Sequence, residues 1–206
     1  IAGVPTSGPG YLGREEVFQL YHDRVVKYRF LTCDEELAKR MFRRLRPYLP
    51  SELDGGRALR LNPNFRFVHH DSGGHQAAHI DGREPVQPQY EAAAGGWVQS
   101  RLTLQCYLSG DFLGGEFAIV EPDLNDPSVT REKFVHHPRA GDAVLFYQER
   151  LIPPSTRPPY EVFHEARSVI KGDKYAMRTM VDYVFPDSAM AAMTNIKDDL
   201  PESELK

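Results

Sequence analysis

The sequence has 206 residues, a formal net charge of −4 and 41% hydrophobic residues, values typical of one globular domain with a substantial core. It contains no apolar run long enough for a membrane helix and no Lys/Arg-rich block that would indicate nucleic-acid binding. Its two cysteines, Cys33 and Cys106, are too few for a disulfide framework, which favours a cytoplasmic or nuclear location.

Residues 1–57 are predicted to form an early strand and supporting helices of the same domain. Residues 1–13 are a Gly- and Pro-rich lead-in, and a β-prone stretch around Tyr28 predicts a strand. Thr32 and Glu35 then have the spacing of a capping box. Apolar residues follow at helical intervals: Leu37, Met41 and Leu45. We expect a helix that ends near Arg46 and packs its apolar stripe against a sheet.

Residues 58–186 change to short β-prone segments separated by Gly, Pro, Asn and Asp. Strands are predicted at 58–62, 65–70, 76–81, 98–109, 115–120, 132–137, 142–148, 161–168 and 173–185. Gly114 and Gly115 are expected to form a hairpin turn before the strand at 115–120. This pattern predicts a mostly β, α+β fold with a sandwich or jelly-roll core and flanking helices. The charged, aperiodic residues 187–206 are predicted to be a tail.

The stretch FRFVHHDSGGHQAAHIDG contains an H-x-D tripeptide on its second predicted strand. His79 and Asp81 are two residues apart, so their side chains project to the same side of that strand. An imidazole and a carboxylate are two of the three ligands of the 2-His-1-carboxylate triad that binds Fe(II). The alternative is a turn histidine followed by an Asx turn before Gly82. His164, on a later predicted strand, supplies the second histidine that the triad requires.

Four segments, in this order, resemble the Fe(II)- and 2-oxoglutarate-dependent dioxygenases, and most closely their prolyl 4-hydroxylase-like branch. They are FRFVHHDSGGHQAAHIDG, SRLTLQCYLSGDFLGGEF, HHPRAGDAVLF and HEARSVIKGDKYAMRTMVDYVF, within residues 59–185. The resemblance implies a double-stranded β-helix and an iron site formed by His79, Asp81 and His164. It also implies 2-oxoglutarate and O2 as cosubstrates, with ascorbate as a further candidate.

The resemblance also implies where 2-oxoglutarate binds. A basic residue about ten positions after the distal histidine holds the C5 carboxylate in this branch, and Lys174 stands there. Arg178 shares its strand face, and it could contact the C1 carboxylate, take the C5 role or hold substrate. His70 stands where relatives usually carry a cosubstrate- or substrate-contacting Tyr, which leaves room for a different substrate.

The segment RLTLQCYL has one polar and one apolar face. The resemblance implies that the polar face lines the pocket, with Tyr107 hydrogen-bonded to the C5 carboxylate; this face consists of Thr103, Gln105 and Tyr107. The apolar face is expected in the core: Leu102, Leu104, Cys106 and Leu108.

Two long loops, 83–97 and 150–160, flank the proposed ligands and are interpreted as substrate lids, with solvated insertions as the alternative. Candidate substrate contacts on them are Arg83, Tyr90, Trp97 and Tyr160. For Trp97, a place in the core is an equal alternative.

The favoured function is hydroxylation of a C–H bond, with release of succinate and CO2. The nearest branch implies peptidyl proline in a peptide or protein substrate, and the rival substrate is a free amino acid or small metabolite. Two further alternatives are a non-catalytic jelly-roll binding module and a bare metal-binding cupin. A bare cupin would not require Lys174 or Arg178.

Overall fold

A computed structural model describes residues 27–82, 95–122, 130–148 and 162–186, and the backbone of 20–21 and 24–25. In this part of the chain one α-helix, α1 (Glu35–Leu45), is followed by a 3-10 turn (Arg46–Tyr48). The strands are β1 (Leu20–Tyr21), β2 (Arg24–Val25), β3 (Lys27–Cys33), β4 (Glu52–Leu53), β5 (Gly56–Leu61), β6 (Asn64–His70), β7 (Gln76–His79), β8 (Trp97–Tyr107), β9 (Leu113–Gly114), β10 (Phe117–Pro122), β11 (Thr130–His136), β12 (Ala143–Tyr147), β13 (His164–Ala166), β14 (Val169–Lys171) and β15 (Lys174–Phe185). No helix among the described residues is long and apolar enough to cross a membrane.

The larger sheet is built around β15, a strand of 12 residues. One edge of β15 pairs along its length with β8, which in turn pairs with β12. The other edge pairs with β6 over its first half and with β5 over its second half. The strands β3 and β4 extend the sheet beyond β6 and β5. All of these pairings are antiparallel, so β15 is covered on both edges.

The smaller sheet has the order β11–β10–β13–β7. An apolar cluster joins the two sheets, because Phe117 of β10 packs with Tyr107, Phe146 and Ala176 of the larger sheet. The larger cluster lies under α1, where Ala38 packs with buried residues of β5, β6, β8 and β15. These two layers form the jelly-roll core that the sequence predicted. Every strand predicted from residue 58 onward overlaps an observed strand.

The predicted helix is confirmed, but its first cap is different. Thr32 lies in β3, and Asp34 caps the helix by accepting a hydrogen bond from the Leu37 amide at 2.8 Å. Asp is at least as good an N-cap as Thr, and Asp34 directly follows the strand. The helix ends at Leu45, as the prolines predicted.

The predicted hairpin at Gly114 and Gly115 is wrong. The strands on either side, β8 and β10, belong to different sheets, and the short β9 pairs instead with β14, which was not predicted. Both glycines have positive φ, 76° and 68°. A Cβ at Gly115 would lie 3.2 Å from the Lys174 side chain, so this glycine allows the backbone to approach Lys174 closely.

Candidate active site

Two neighbouring strands of the smaller sheet bring the predicted histidines together. His79 on β7 and His164 on β13 are directly opposite each other in the register. Their ring centroids are 4.4 Å apart, and Asp81 follows β7 by two residues. One ligand atom from each of the three residues lies within 4.8 Å of the other two. His79 and His164, 85 positions apart in sequence, thus form with Asp81 one compact set of possible metal ligands.

The backbone fixes which nitrogen of each imidazole faces the centre. The Nδ1 atom of His79 lies 2.8 Å from the Ala77 carbonyl oxygen, and that of His164 lies 2.9 Å from the Val162 carbonyl oxygen. A carbonyl only accepts, so each Nδ1 carries a proton, and it is the Nε2 atom of each ring that remains to bind a metal. Burial lowers the pKa of His164, which favours its neutral form.

Asp81 is the acidic member of the cluster, and its side chain is only 2% exposed. Its Oδ1 lies 3.4 Å from the His79 Nε2, and its Oδ2 accepts a hydrogen bond of 2.8 Å from the Thr103 hydroxyl. Arg178 donates a further hydrogen bond to Oδ1. Burial raises the pKa of Asp81, but the contacts with His79, Arg178, His164 and Thr103 outweigh burial and lower it overall. The carboxylate is therefore charged when the site is used.

The larger sheet contributes a buried cation beside this cluster. Lys174, 2% exposed, donates a hydrogen bond of 2.5 Å from its Nζ to the Gly115 carbonyl oxygen. No carboxylate among the described residues forms an ion pair with it. Burial lowers its pKa to about 8, although the charge of Glu116 acts in the opposite direction. The Tyr107 ring centroid lies 5.4 Å from the Nζ atom.

His70 lies opposite Lys174 in the register of β6 and β15. It is 5% exposed, and within the described part of the chain neither of its ring nitrogens has a hydrogen-bond partner. Burial, together with the positive charges of Lys174 and Lys27, lowers its pKa to about 2, so the ring is neutral. Unpartnered buried nitrogens are costly, and they indicate a place where a ligand binds.

One pocket joins the two sheets, and both His79 and Lys174 line it. Tyr107 and Gln105, two of the three residues predicted on the polar face of β8, also line it. The third differs: Thr103 holds Asp81 and accepts a hydrogen bond of 3.1 Å from the Gln148 amide. Its prediction as a cosubstrate contact is not supported, because its hydroxyl is occupied by the proposed metal ligand.

The sequence did not identify several polar residues that line the same pocket: Lys27, Arg29, Arg66, Gln76 and Glu165. The alternation of β6 was the available signal, because Arg66 lies on the same strand face as His70. For Lys27 and Arg29 no local signal existed, since their position depends on the pairing of β3 with β6.

Trp97 does not reach the pocket. It begins β8, ten residues from Tyr107, and its ring lies 5.2 Å from that of Phe185 beside the main core cluster. The structure therefore places Trp97, partly buried, against the core and outside the described lining of the pocket. Leu108 also departs from its prediction, since it follows the end of β8 and is exposed. The other candidate substrate contacts lie outside the described residues: Arg83, Tyr90 and Tyr160.

The donor set fits a metal that prefers imidazole and carboxylate ligands and leaves room for other ligands. The unpartnered nitrogens of His70 and the buried ammonium of Lys174 fit a small dicarboxylate. Both groups are therefore compatible with the residues present.

The model of the 2OG-Fe(II) oxygenase superfamily matches residues 65–181. Among solved structures, a viral collagen prolyl hydroxylase from Paramecium Bursaria Chlorella virus-1 is similar at 17% identity, with a TM-score of 0.46 over 77% of this chain and 80% of that chain. A prolyl-4-hydroxylase from Pseudomonas putida has 14% identity and a TM-score of 0.45 over 76% and 72%. A Trichoplax adhaerens prolyl hydroxylase has 15% identity and a TM-score of 0.45 over 80% and 66%. No curated protein is detectably similar in sequence.

Proposed function

Because the chain belongs to the 2OG-Fe(II) oxygenase superfamily, we propose that it hydroxylates a C–H bond of a peptidyl proline. The family uses Fe(II), 2-oxoglutarate and O2, and the chain is a 2-oxoglutarate-dependent dioxygenase. The products from 2-oxoglutarate are succinate and CO2. The proline substrate rests on the resemblance of the four sequence segments to the prolyl 4-hydroxylase-like branch.

In this proposal Fe(II) is held by His79, Asp81 and His164. The bound iron supplies the electron and O2 chemistry that amino-acid side chains cannot. The protein fixes the direction of each ligand: backbone carbonyls orient the two imidazoles, and Thr103 and Arg178 orient the carboxylate. Aromatic packing supports the same arrangement, since the Phe146 ring lies 4.4 Å from that of His164.

The observation that carries the proposal is the pair formed by Lys174 and His70. A buried ammonium without a carboxylate partner in the described chain, next to a buried ring with two unpartnered nitrogens, lacks an anionic ligand. The C5 carboxylate of 2-oxoglutarate would pair with Lys174 and accept a hydrogen bond from His70. Arg178 is less suited to this role, because its guanidinium already contacts Asp81. Tyr107, whose pKa is raised by burial, stays a neutral hydrogen-bond donor at the same wall.

The non-catalytic alternatives account for less of the site. A bare metal-binding cupin needs the three ligands but not a buried lysine beside them. A recognition module would not need a complete iron-ligand set. The presence of both features in one pocket supports the enzyme.

A peptide panel tests the substrate. Proline-containing peptides, each with a matched peptide in which Ala replaces Pro, would be incubated with protein, Fe(II), 2-oxoglutarate and O2. We expect some proline peptides to gain one oxygen by mass spectrometry and to stimulate succinate formation, while their Ala partners do neither. If no proline peptide reacts but a free amino acid or other small metabolite gains an oxygen, the substrate is a small molecule and the proline proposal is wrong.

A further inference from the structure

Two hydrogen bonds in series connect Gln148 to the carboxylate of Asp81. Gln148 directly follows β12, and its Nε2 donates to the Thr103 hydroxyl oxygen at 3.1 Å. That hydroxyl in turn donates to the Asp81 Oδ2 at 2.8 Å. From Gln148 to Asp81, the three residues are 1%, 0% and 2% exposed. Gln148 is not among the described residues that line the pocket, so its connection to the pocket runs through Thr103 and Asp81.

The pairing of β12 with β8 fixes the place of Gln148. Phe146 lies opposite Thr103 in the antiparallel register, which makes Gln148, two residues later, a diagonal neighbour of Thr103 on the same face. The backbone continues this pairing beyond the strand, because the Gln148 amide donates to the Arg101 carbonyl oxygen at 3.1 Å. Phe146 packs against His164, with ring centroids 4.4 Å apart. This face of β12 and the residue after it therefore contact one proposed ligand directly and reach another through Thr103.

The donors and acceptors in this series fix the direction of the Thr103 hydroxyl proton. The ionised carboxylate of Asp81 only accepts hydrogen bonds, so the hydroxyl must donate to it. A hydroxyl has one proton, and it can therefore contact the Gln148 side chain only as an acceptor. The Nε2 of Gln148 supplies the matching donor, whereas its Oε1 in the same place would compete with Asp81 for the single proton. A side chain without a donor at this position would remove the contact that holds the buried hydroxyl in this direction.

We propose that Gln148 is a positioning residue for the proposed metal ligand Asp81. By holding the Thr103 hydroxyl as a donor to Oδ2, Gln148 keeps the carboxylate directed toward the two imidazoles. The Nε2 atom of His79 lies 3.4 Å from one oxygen of that carboxylate, and the Nε2 atom of His164 lies 4.0 Å from the other. This inference rests on the proposed function, in which Asp81 binds Fe(II). It assigns metal affinity to a residue that lies outside the described lining of the pocket.

Titration of Co(II) into the metal-free protein tests the inference without turnover. Co(II) stands in for Fe(II), and its visible absorption changes when it gains imidazole and carboxylate ligands. Gln148→Met keeps the length of the side chain but removes the donor, and we expect it to raise the dissociation constant for Co(II) about tenfold or more. Gln99→Met is the matched control, since Gln99 is 5% exposed on β8, opposite Tyr183, and this variant should bind Co(II) as the wild type does. Equal affinities in Gln148→Met and the wild type would overturn the inference.

A double-variant comparison tests whether Gln148 acts through Thr103. Thr103→Val removes the hydroxyl and should also weaken Co(II) binding. If Gln148 acts through that hydroxyl, adding Gln148→Met to Thr103→Val should not weaken binding further. Thr103→Ser keeps a hydroxyl, so it should retain most of the affinity and still lose affinity when Gln148→Met is added. If the losses in Gln148→Met and Thr103→Val are independent and multiply in the double variant, Gln148 acts by another route and the inference is wrong.

Two further measurements separate the inference from a general loss of structure and from a failure of the proposed function. Binding of 2-oxoglutarate without metal, which depends on Lys174 and His70 in the proposed site, should be the same in Gln148→Met and the wild type. An equal loss of both affinities would mean that Gln148 only supports the fold, and it would overturn the inference.

His79→Ala tests the metal site itself. If it binds Co(II) as tightly as the wild type, the metal is bound elsewhere, and the proposed site fails together with the inference. If His79→Ala loses Co(II) binding but Gln148→Met does not, only the inference is overturned. Thermal unfolding shows which variants are folded, and if Gln148→Met does not fold, the smaller Gln148→Leu takes its place in each test.

Discussion

Lys174 combines deep burial with a positive charge, and among the described residues it lacks a carboxylate partner. Its desolvation is a cost in the free protein, which is why its pKa falls to about 8. A bound carboxylate offsets that cost through a charge-assisted hydrogen bond. Lys174 is therefore the side chain whose loss should weaken 2-oxoglutarate binding most directly.

Lys174→Met should raise the dissociation constant for 2-oxoglutarate by about 100-fold, because a buried charge pair cannot form. Lys171→Met is the matched control, since Lys171 is exposed on β14, three residues away, and should bind 2-oxoglutarate as the wild type does. Calorimetric titration measures both, and thermal unfolding shows whether the fold is retained. Equal affinities in the two variants would mean that another residue holds the C5 carboxylate.

The pH dependence of the same binding follows from the lowered pKa of Lys174. Only the protonated amine pairs with a carboxylate, so affinity should be constant below pH 8 and fall up to about tenfold for each pH unit above it. Lys174→Met should lose this slope. If the variant keeps the slope, a group other than Lys174 causes the pH dependence of 2-oxoglutarate binding.

Residues whose role depends on local spacing were predictable from the sequence. His79 and Asp81 are two apart, at the end of β7 and just beyond it, and Lys174 and Arg178 share one face of β15. The contact of Thr103 and Arg178 with Asp81 was not predictable, because it depends on how closely the two sheets approach. The same holds for the N-cap, which the sequence placed at Thr32 and the structure places at Asp34, because β3 continues to Cys33.

At the scale of elements, β15 and β5 are joined by a buried ion pair. The Arg60 Nε donates to the Asp182 Oδ2 at 2.9 Å, and Asp182 is fully buried. Burial raises the pKa of Asp182 to about 6, although Arg60 opposes the shift. Its ordinary value is 3.8, so between about pH 4 and pH 6 the folded protein holds a proton that the unfolded chain has released. In that window the contribution of Asp182 to the free energy of unfolding therefore falls as the pH rises.

When the pH is raised from 4 to 7, the free energy of unfolding of Asp182→Asn should therefore increase relative to that of the wild type, by on the order of 2 kcal/mol. Urea unfolding at pH 4 and at pH 7 gives, at each pH, the difference in free energy of unfolding between the variant and the wild type. Comparing these two differences removes the pH response that both proteins share. Glu52→Gln, which changes an exposed carboxylate on the neighbouring β4, should show a much smaller change. A difference that stays constant or reverses would mean that Arg60 keeps Asp182 charged throughout.

The strands themselves were predictable, but their partners were not. Alternation along β6 and β8 follows from the two faces of a strand. The division of one edge of β15 between β6 and β5 depends on strand order, which no local pattern contains. The hairpin predicted at Gly114 and Gly115 failed for the same reason, since the strands before and after it lie in different sheets.

At the scale of the whole molecule, the two sheets supply different halves of the site. The smaller sheet positions His79 and His164, and the larger sheet supplies Lys174 and His70. Asp81 connects the halves, because it follows β7 and is held by side chains of β8 and β15. Binding of the metal and of 2-oxoglutarate should therefore be coupled.

Titration of 2-oxoglutarate into the protein without O2, with and without Fe(II), tests this coupling most directly. In the wild type, Fe(II) should tighten 2-oxoglutarate binding by about tenfold or more, because in the proposed site the cosubstrate would contact both the metal and Lys174. His79→Ala and His164→Ala should lose that gain while remaining folded. His137→Ala, which changes an exposed histidine, should keep it. If both ligand variants retain the full Fe(II)-dependent gain, the metal is bound elsewhere and the assignment of the site is wrong.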